Sequence, residues 1–337
     1  MSKIIINGTL FGKGSSGVQR YAVNMIKHFP KQIAFEIISS NCRINFFRHI
    51  LEQFKFLMFP NRVIWSPTHI GPLFSRLHVI TVHDLLPIDQ SHLFDWKFVK
   101  LYKFILPILC RRSLHILTVS EFTKSRLMDV YGINSDKITV AYNASIFSND
   151  IKYSDINFKL LKSEYFISDN YFLVVGNIGF HKNSLSIIKA WRNANVDADL
   201  VFIGKLPDHF KSEFYREKEF QFRVKHLENV DDETLALFYK NSVSLIFVSF
   251  YEGFGIPLLE ANSMGCRVIY SKNTVLEEIA GDCNFPVDPF SVESISNAIC
   301  TLFNNPIFNI EKLLNNSNKY NWEAESAKVQ NVLKSYS

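Results

Sequence analysis

A chain of 337 residues suffices for two domains at roughly 100–200 residues each. Hydrophobic residues at 47 % against 20 % charged exclude a disordered polar chain, and 31 phenylalanines predict an aromatic-rich core. The balance of 37 basic and 32 acidic side chains gives a formal charge of +5, too small to imply nucleic-acid binding but suited to an anionic ligand or surface.

Short apolar runs rich in β-branched and aromatic residues alternate with longer amphipathic stretches. The first set lies at residues 3–7, 34–38, 62–65, 78–83, 114–120 and 137–142. A second set follows at 171–175, 200–204, 224–227, 243–250 and 267–270. Residues 243–250 (VSLIFVSF) are apolar at nearly every position, as a strand covered on both faces of a parallel sheet requires. Strands alternating with helical patterns predict βαβ units. Between Asn143 and Asp169 the pattern pauses in Ser, Asn, Asp and Lys without a clean period, which marks a linker. The expectation is an α/β protein of two Rossmann-like, doubly wound domains facing across a cleft. They would occupy residues 1–155 and 156–318, with a helix in 319–337 packing back toward the first domain.

Five cysteines (Cys42, Cys110, Cys266, Cys283 and Cys300) are scattered, with no C-x-x-C pair. With no signal-peptide pattern and no apolar run of about 18 residues, they read as reduced thiols of a cytoplasmic protein.

The clearest candidate site spans residues 249–261 (SFYEGFGIPLLEA). A buried strand would end at Phe250, a Gly-rich turn would follow, and Pro257 suits the first turn of a helix. The amides of Gly253, Phe254, Gly255 and Ile256 would then point into the crevice at the carboxyl end of the sheet, an arrangement that binds phosphate. Glu252 on the turn and Glu260 on the helix place two carboxylates at that end, one for a sugar and one for ribose hydroxyls. Lys182 follows a strand and Gly176 and precedes a helical stretch beginning near Ser184, a placement that sets a point charge at a strand end. His83 sits at a strand's carboxyl end, where α/β sites form; a backbone carbonyl capping it is the structural alternative. Asp84 beside it orients the loop or caps the next helix. By pattern, Asp231 or Asp232 caps the helix before Leu235.

These residues resemble the Glu-x7-Glu motif of the retaining glycosyltransferases of family 4, which have the two-domain GT-B fold. Residues 16–21 (SGVQRY), 81–87 (TVHDLLP), 118–124 (TVSEFTK), 175–183 (VGNIGFHKN) and 321–323 (NWE) are similar to segments that family shows in this order. Residues 81–87 look like the subset that includes mannosyl- and rhamnosyltransferases of bacterial O-antigen and capsule synthesis. The resemblance implies a metal-independent, retaining hexosyltransferase. Its donor would be a GDP-, UDP- or dTDP-linked sugar, acting as a substrate, with no cofactor. The donor would lie on the second domain, and an oligosaccharide or lipid-linked glycan acceptor would approach from the first. Carried over, Glu260 holds the donor ribose, while Glu252 and the amides of Gly253 to Ile256 hold the transferred sugar and diphosphate. Lys182 meets the diphosphate and the backbone at Val230 meets the base; Gly17, Asn177, His181 and Asn183 complete the donor side. His83 borders the reacting sugar, with Asp84 and Ser120 on the acceptor side. Related enzymes often carry Arg near the lysine, whereas this chain has His181 beside it and Asn177 in the preceding turn. The second charge is therefore missing, supplied by His181 as pH falls, or supplied by Lys205 or Arg223.

Residues 12–17 spell G-x-G-x-x-G with Glu36 about 20 residues on, the pattern of a dinucleotide site. The spacing from the strand fits a cleft-lining loop that admits the donor diphosphate better. Asp197-Ala198-Asp199 spells a D-x-D but precedes a strand, which predicts a surface turn, and no residue set has metal-ligand spacing. Two rival activities use the same features: a nucleotide-sugar epimerase through the diphosphate site, and an NAD(P)-dependent reductase through residues 12–17. Residues 46–62 and 96–112 mix aromatic and aliphatic side chains with cations. They fit peripheral contact with an anionic membrane surface, on the inner face of a plasma membrane, as well as they fit packed helices with solvated lysines.

Overall fold

The computed structural model describes residues 4–9, 17–30, 34–38, 53–69, 71–148, 155–218 and 222–337. The chain divides into two units, Met1–Asn143 with Tyr320–Ser337, and Ala144–Lys319. The division falls where the apolar pattern pauses; residue 155 opens the helix Asp155–Glu164.

Among the described residues, the N-terminal unit holds one parallel sheet of six strands in the order β2-β1-β3-β4-β5-β6. These are β1 (Ile4–Asn7), β2 (Phe35–Ile38), β3 (Ile64–Ser66), β4 (His78–Val82), β5 (His115–Thr118) and β6 (Ile138–Val140). Every residue of β4 and β5 is buried, as a sheet covered by helices on both faces demands. The helix Gly17–Lys27 buries Tyr21, Ala22 and Met25, and the helix Trp96–Arg112 buries Val99, Tyr102, Leu106, Leu109 and Cys110. The helix Glu121–Tyr131 starts on a Ser120 side chain that accepts from Thr123 N at 3.1 Å and stops at Gly132 in the left-handed conformation. The last helix, Trp322–Ser335, belongs to this unit. Ser326 Oγ donates to the Met25 carbonyl at 3.0 Å, and Gln330 Nε2 donates to that of Pro30 at 3.2 Å.

The C-terminal unit repeats the scheme in the order β12-β11-β10-β7-β8-β9. Its strands are β7 (Tyr171–Val175), β8 (Asp199–Ile203), β9 (Val224–Leu227), β10 (Ser244–Phe247), β11 (Val268–Ser271) and β12 (Phe285–Val287). The apolar run expected as strand to residue 250 leaves the ladder after Phe247. Strand β12 was not legible as an apolar run, because it is short and carries Pro286, a residue confined to sheet edges. The helices Ser184–Ala194 and Val292–Asn304 bury Ile187, Ile188, Trp191, Ile295, Ile299 and Leu302 in a core with Phe172 and Phe202. Among the described residues, no helix is long and apolar enough to cross a membrane. Because each sheet is wholly parallel, its carboxyl ends share one edge, where connecting loops gather functional groups.

Candidate functional site

At the carboxyl edge of the C-terminal sheet, β7 and β8 end on glycines in the left-handed region, Gly176 (φ 122°) and Gly204 (φ 147°). A Cβ on Gly204 would collide with the Gly176 carbonyl oxygen, so only glycine permits the two strand ends to lie this close. The chain then passes through a single 3-10 turn, Phe180–Lys182, before Asn183 opens the helix Ser184–Ala194. Asn183 is buried and its amide donates to the Pro289 carbonyl at 2.6 Å. That turn aims Lys182 at Glu252: Nζ donates to Oε1 at 2.5 Å and stands 4.9 Å from the centre of the Phe247 ring. The pair is partly open, with the two side chains 16 % and 17 % exposed. The backbone reinforces it, since Phe250 N donates to the His181 carbonyl at 2.9 Å.

After β10 the loop carrying Glu252, Gly253 and Phe254 reaches Gly255 (φ 128°), which precedes the helix Ile256–Ser263 with Pro257 in its first turn. A Cβ on Gly255 would come within 2.7 Å of Leu276 Cδ2, so both conformation and space select glycine here. Glu260 is 2 % exposed and accepts from Tyr239 Oη at 2.9 Å. Tyr239 lies on the helix Asp232–Asn241, whose cap is Asp231, accepting from Thr234 N at 2.8 Å. Val230, between Asn229 (φ 56°) and this cap, lies at the β9 end of the same edge. Asn177 is exposed and His181 half-buried. One sheet edge thus gathers a cation, a carboxylate, a glycine turn and a helix start, the elements of an anion site.

Two expectations need correction. Arg223 is not a second cation at this edge: its Nε donates to Asp199 Oδ1 at 2.8 Å and its Nη1 to Asp197 Oδ1 at 2.9 Å. These groups stand at the amino ends of β8 and β9, opposite to Lys182. Asp197 and Ala198 form the expected turn, with Asp197 exposed, but Asp199 is the buried first residue of β8 and also accepts from Ser168 N at 2.8 Å. Lys205 does lie on the correct edge, and its carbonyl accepts from Ile178 N at 2.9 Å.

In the N-terminal unit, His83 follows β4 and is 5 % exposed. Its Nε2 lies 2.9 Å from the Pro67 carbonyl, so Nε2 carries the hydrogen and donates, leaving the Nδ1 lone pair. The Tyr21 ring meets it edge-on at 4.9 Å and the His69 ring lies 5.3 Å away. Burial, with the neighbouring His69 adding to it, pushes His83 down to about 3 against the opposing pull of the Pro67 carbonyl and Asp84. Burial likewise takes His69 down to about 4. Both rings are neutral at pH 7. His69 Nδ1 is in turn 3.1 Å from Tyr102 Oη.

Ser120 is buried, capping its helix and donating to Thr123 Oγ1 at 3.0 Å; Thr123 Oγ1 donates to the His83 carbonyl at 3.1 Å. Ser120 therefore supports the His83 loop from behind. Asp84 Oδ1 accepts from Leu86 N at 3.0 Å and orients the turn into Leu86–Asp89. Gly17 opens the helix Gly17–Lys27, while residues 12–16 lie outside the described residues. Sequence reasoning missed His69, Tyr21, Tyr102 and Tyr239. Only Tyr239 carries a signal, as the one hydroxyl in an otherwise apolar stretch, residues 235–239 (LALFY).

Residues 158–323 match the family model for glycosyl transferases group 1, and residues 65–144 match that for Glycosyltransferase Family 4. The chain is 30 % identical over 245 residues to the O-antigen chain mannosyltransferase RfbU of Salmonella typhimurium, covering 72 % of this chain and 65 % of that protein. It is 29 % identical over 188 residues to O-antigen chain mannosyltransferase B of Escherichia coli, covering 54 % and 49 %. The match thus spans less than two thirds of either relative. The crystal structure of Anabaena Alr3699/HepE in complex with UDP and glucose superposes with a TM-score of 0.77 at 15 % identity, covering 99 % of this chain and 100 % of that one. Two parallel six-stranded sheets and this likeness define the GT-B fold. The chain belongs to glycosyltransferase family 4.

Proposed function

We propose that the protein moves a hexose from a nucleoside-diphosphate sugar to a hydroxyl of a surface-glycan acceptor, either an oligosaccharide or a lipid-linked glycan, with retention and without a metal. The observation that carries this reading is the Lys182–Glu252 pair at the mouth of the Gly253–Ile256 turn. A diphosphate arriving there is a stronger partner for Lys182 than a single carboxylate, and the helix start adds amides and a favourable dipole. Release from Lys182 turns Glu252 toward the sugar.

The glycosidic C–O bond then breaks with its electron pair going to the diphosphate oxygen, which Lys182 and the turn amides neutralise. Glu252 stabilises the positive charge developing at the anomeric carbon. The acceptor oxygen bonds to that carbon on the face the nucleotide leaves, and its proton passes to the departing phosphate oxygen, so configuration is retained. Glu260, held by Tyr239, accepts from the ribose hydroxyls. Neutral His83 offers its Nδ1 lone pair to a sugar hydroxyl. The names of the two mannosyltransferase relatives make mannose the first sugar to test and an O-antigen-type glycan the first acceptor class.

The test begins with thermal shifts in UDP, GDP and dTDP, where a ligand at 100 times its Kd adds about 2.7 kcal/mol. Sugar release is then followed with and without an acceptor glycan and with a chelator. Retained anomeric configuration, chelator-insensitive turnover and dependence on acceptor support the proposal. Conversion of the donor sugar in the absence of acceptor would instead establish epimerisation, and binding of NAD(P) alone would establish a reductase.

A further inference from the structure

Flanking the charged seat, the carboxyl edge of the C-terminal sheet carries three aromatic side chains that the donor site does not use. Phe180 follows β7, Phe250 follows β10 and Phe290 follows β12. The rings of Phe250 and Phe290 stack at 5.0 Å with 21° between their planes, and Phe180 continues the row 6.3 Å from Phe250. Phe180 and Phe290 are 58 % and 81 % exposed. Water drives large rings inward, so a row of them left open beside a functional edge marks a binding surface.

The row is built into the site. Phe180 stands two residues before Lys182 and Phe250 two before Glu252, and two residues span at most about 7 Å. Phe250 N donates to the His181 carbonyl at 2.9 Å. Asn183 Nδ2 donates to the Pro289 carbonyl at 2.6 Å, which fastens the residue before Phe290 to the turn that carries Lys182. The Asp288 carboxylate lies at the foot of the outer ring, where Oδ1 accepts from Phe290 N at 3.0 Å.

We propose that Phe180, Phe250 and Phe290 form a stacking platform for a pyranose ring of the acceptor glycan. This rests on the reading of the acceptor as a glycan and deepens it, because it gives the acceptor a seat on the C-terminal unit. One face of a pyranose is a patch of C–H groups whose slight positive charge matches the negative face of an aromatic ring, while its hydroxyls project at the rim. The platform has the same division, with flat rings in the middle and the Asp288 carboxylate at the margin.

The surroundings disfavour other occupants. Beside the outer ring, residues 284–293 carry Asp288 and Glu293 and no Lys or Arg, so an anionic surface finds no partner there. The nucleotide base is assigned to Val230, past β9, whereas the rings follow β7, β10 and β12 on the other side of β8.

The test is calorimetric titration of the intact protein, without donor, with mannose, galactose and glucose trisaccharides. Binding of at least one is expected. Phe290→Ala should weaken it roughly tenfold, the scale for removing one ring from a stacked ligand. Phe290→Tyr keeps the ring face and should bind as the wild type does, whereas Phe290→Leu keeps an apolar side chain without a flat face and should lose as much as Phe290→Ala. Because the side chain is exposed, all three variants should keep the wild-type thermal midpoint. In transfer assays Phe290→Ala should raise the acceptor KM by the same factor and leave the Kd for the nucleoside diphosphate unchanged. Failure of every trisaccharide to bind, full affinity in Phe290→Ala, or full affinity in Phe290→Leu overturns the platform. So does self-association that Phe290→Ala abolishes, which would assign the rings to a second copy. Ring-dependent sugar binding without any transfer would uphold the platform and count against the proposed function alone.

Discussion

The two units set their functional groups on the carboxyl edges of similar six-stranded sheets, yet by opposite means. The C-terminal edge is charged and backbone-driven: Lys182 meets Glu252 beside glycines that no other residue could replace. The N-terminal edge is neutral and ring-built, with His83 enclosed by Tyr21, His69 and the Pro67 carbonyl. The first is prepared for an anion and for charge that develops during reaction. The second is prepared for uncharged hydroxyls, and it gains that neutrality through burial.

The sharpest way to break this contrast is to remove charge from the C-terminal edge. Glu252→Ala should lower kcat by roughly 10²–10³, the scale for losing one preorganised electrostatic partner, measured as initial rates of hexose transfer. Near-normal turnover would take Glu252 out of the mechanism.

Acid should act on the N-terminal unit. His69, His78 and His83 are lowered by burial to about 4, 3 and 3. Between pH 6.5 and about 4 the unfolded chain binds protons that the folded unit refuses. The stability these histidines contribute is therefore complete above pH 6.5 and is lost as pH falls, at up to about 1.4 kcal/mol per pH unit for each. Thermal unfolding across that range should show a falling midpoint, and a constant midpoint down to pH 4.5 would contradict it.

Tyr239→Phe should cost about 1 kcal/mol of stability by deleting one hydrogen bond to buried Glu260, and it should weaken donor binding by about fivefold. Calorimetric titration with the donor nucleotide reads both units of the contrast: His83→Asn should leave nucleotide affinity unchanged. The smallest effect separates two lysine-or-arginine candidates. Lys205→Ala should weaken nucleotide binding roughly threefold, as expected for one exposed charge, whereas Arg223→Ala should lower only the thermal midpoint.

The same contrast explains what the sequence could disclose. Glu252, the glycine turn, Glu260 and Lys182 were legible because a strand end, a tight turn and a helix start each demand particular residues at fixed spacing. The parallel sheets were legible through continuous apolar runs such as residues 243–250. His69, Tyr21 and Tyr102 were not, because they come from a loop and two helices far apart in the chain and meet only after packing. Arg223 stood among the alternatives for the second charge for a related reason: nothing in its local sequence reveals that Asp197 and Asp199, across two strand starts, hold it at the opposite end of the sheet.

The central claim is the seat of the diphosphate, and a crystal structure with the bound nucleoside diphosphate tests it most directly. The account predicts phosphate oxygens within hydrogen-bonding distance of Lys182 Nζ and the Gly253–Ile256 amides, with the Lys182–Glu252 bond opened. A nucleotide held by residues 12–17, with that bond intact, would contradict it.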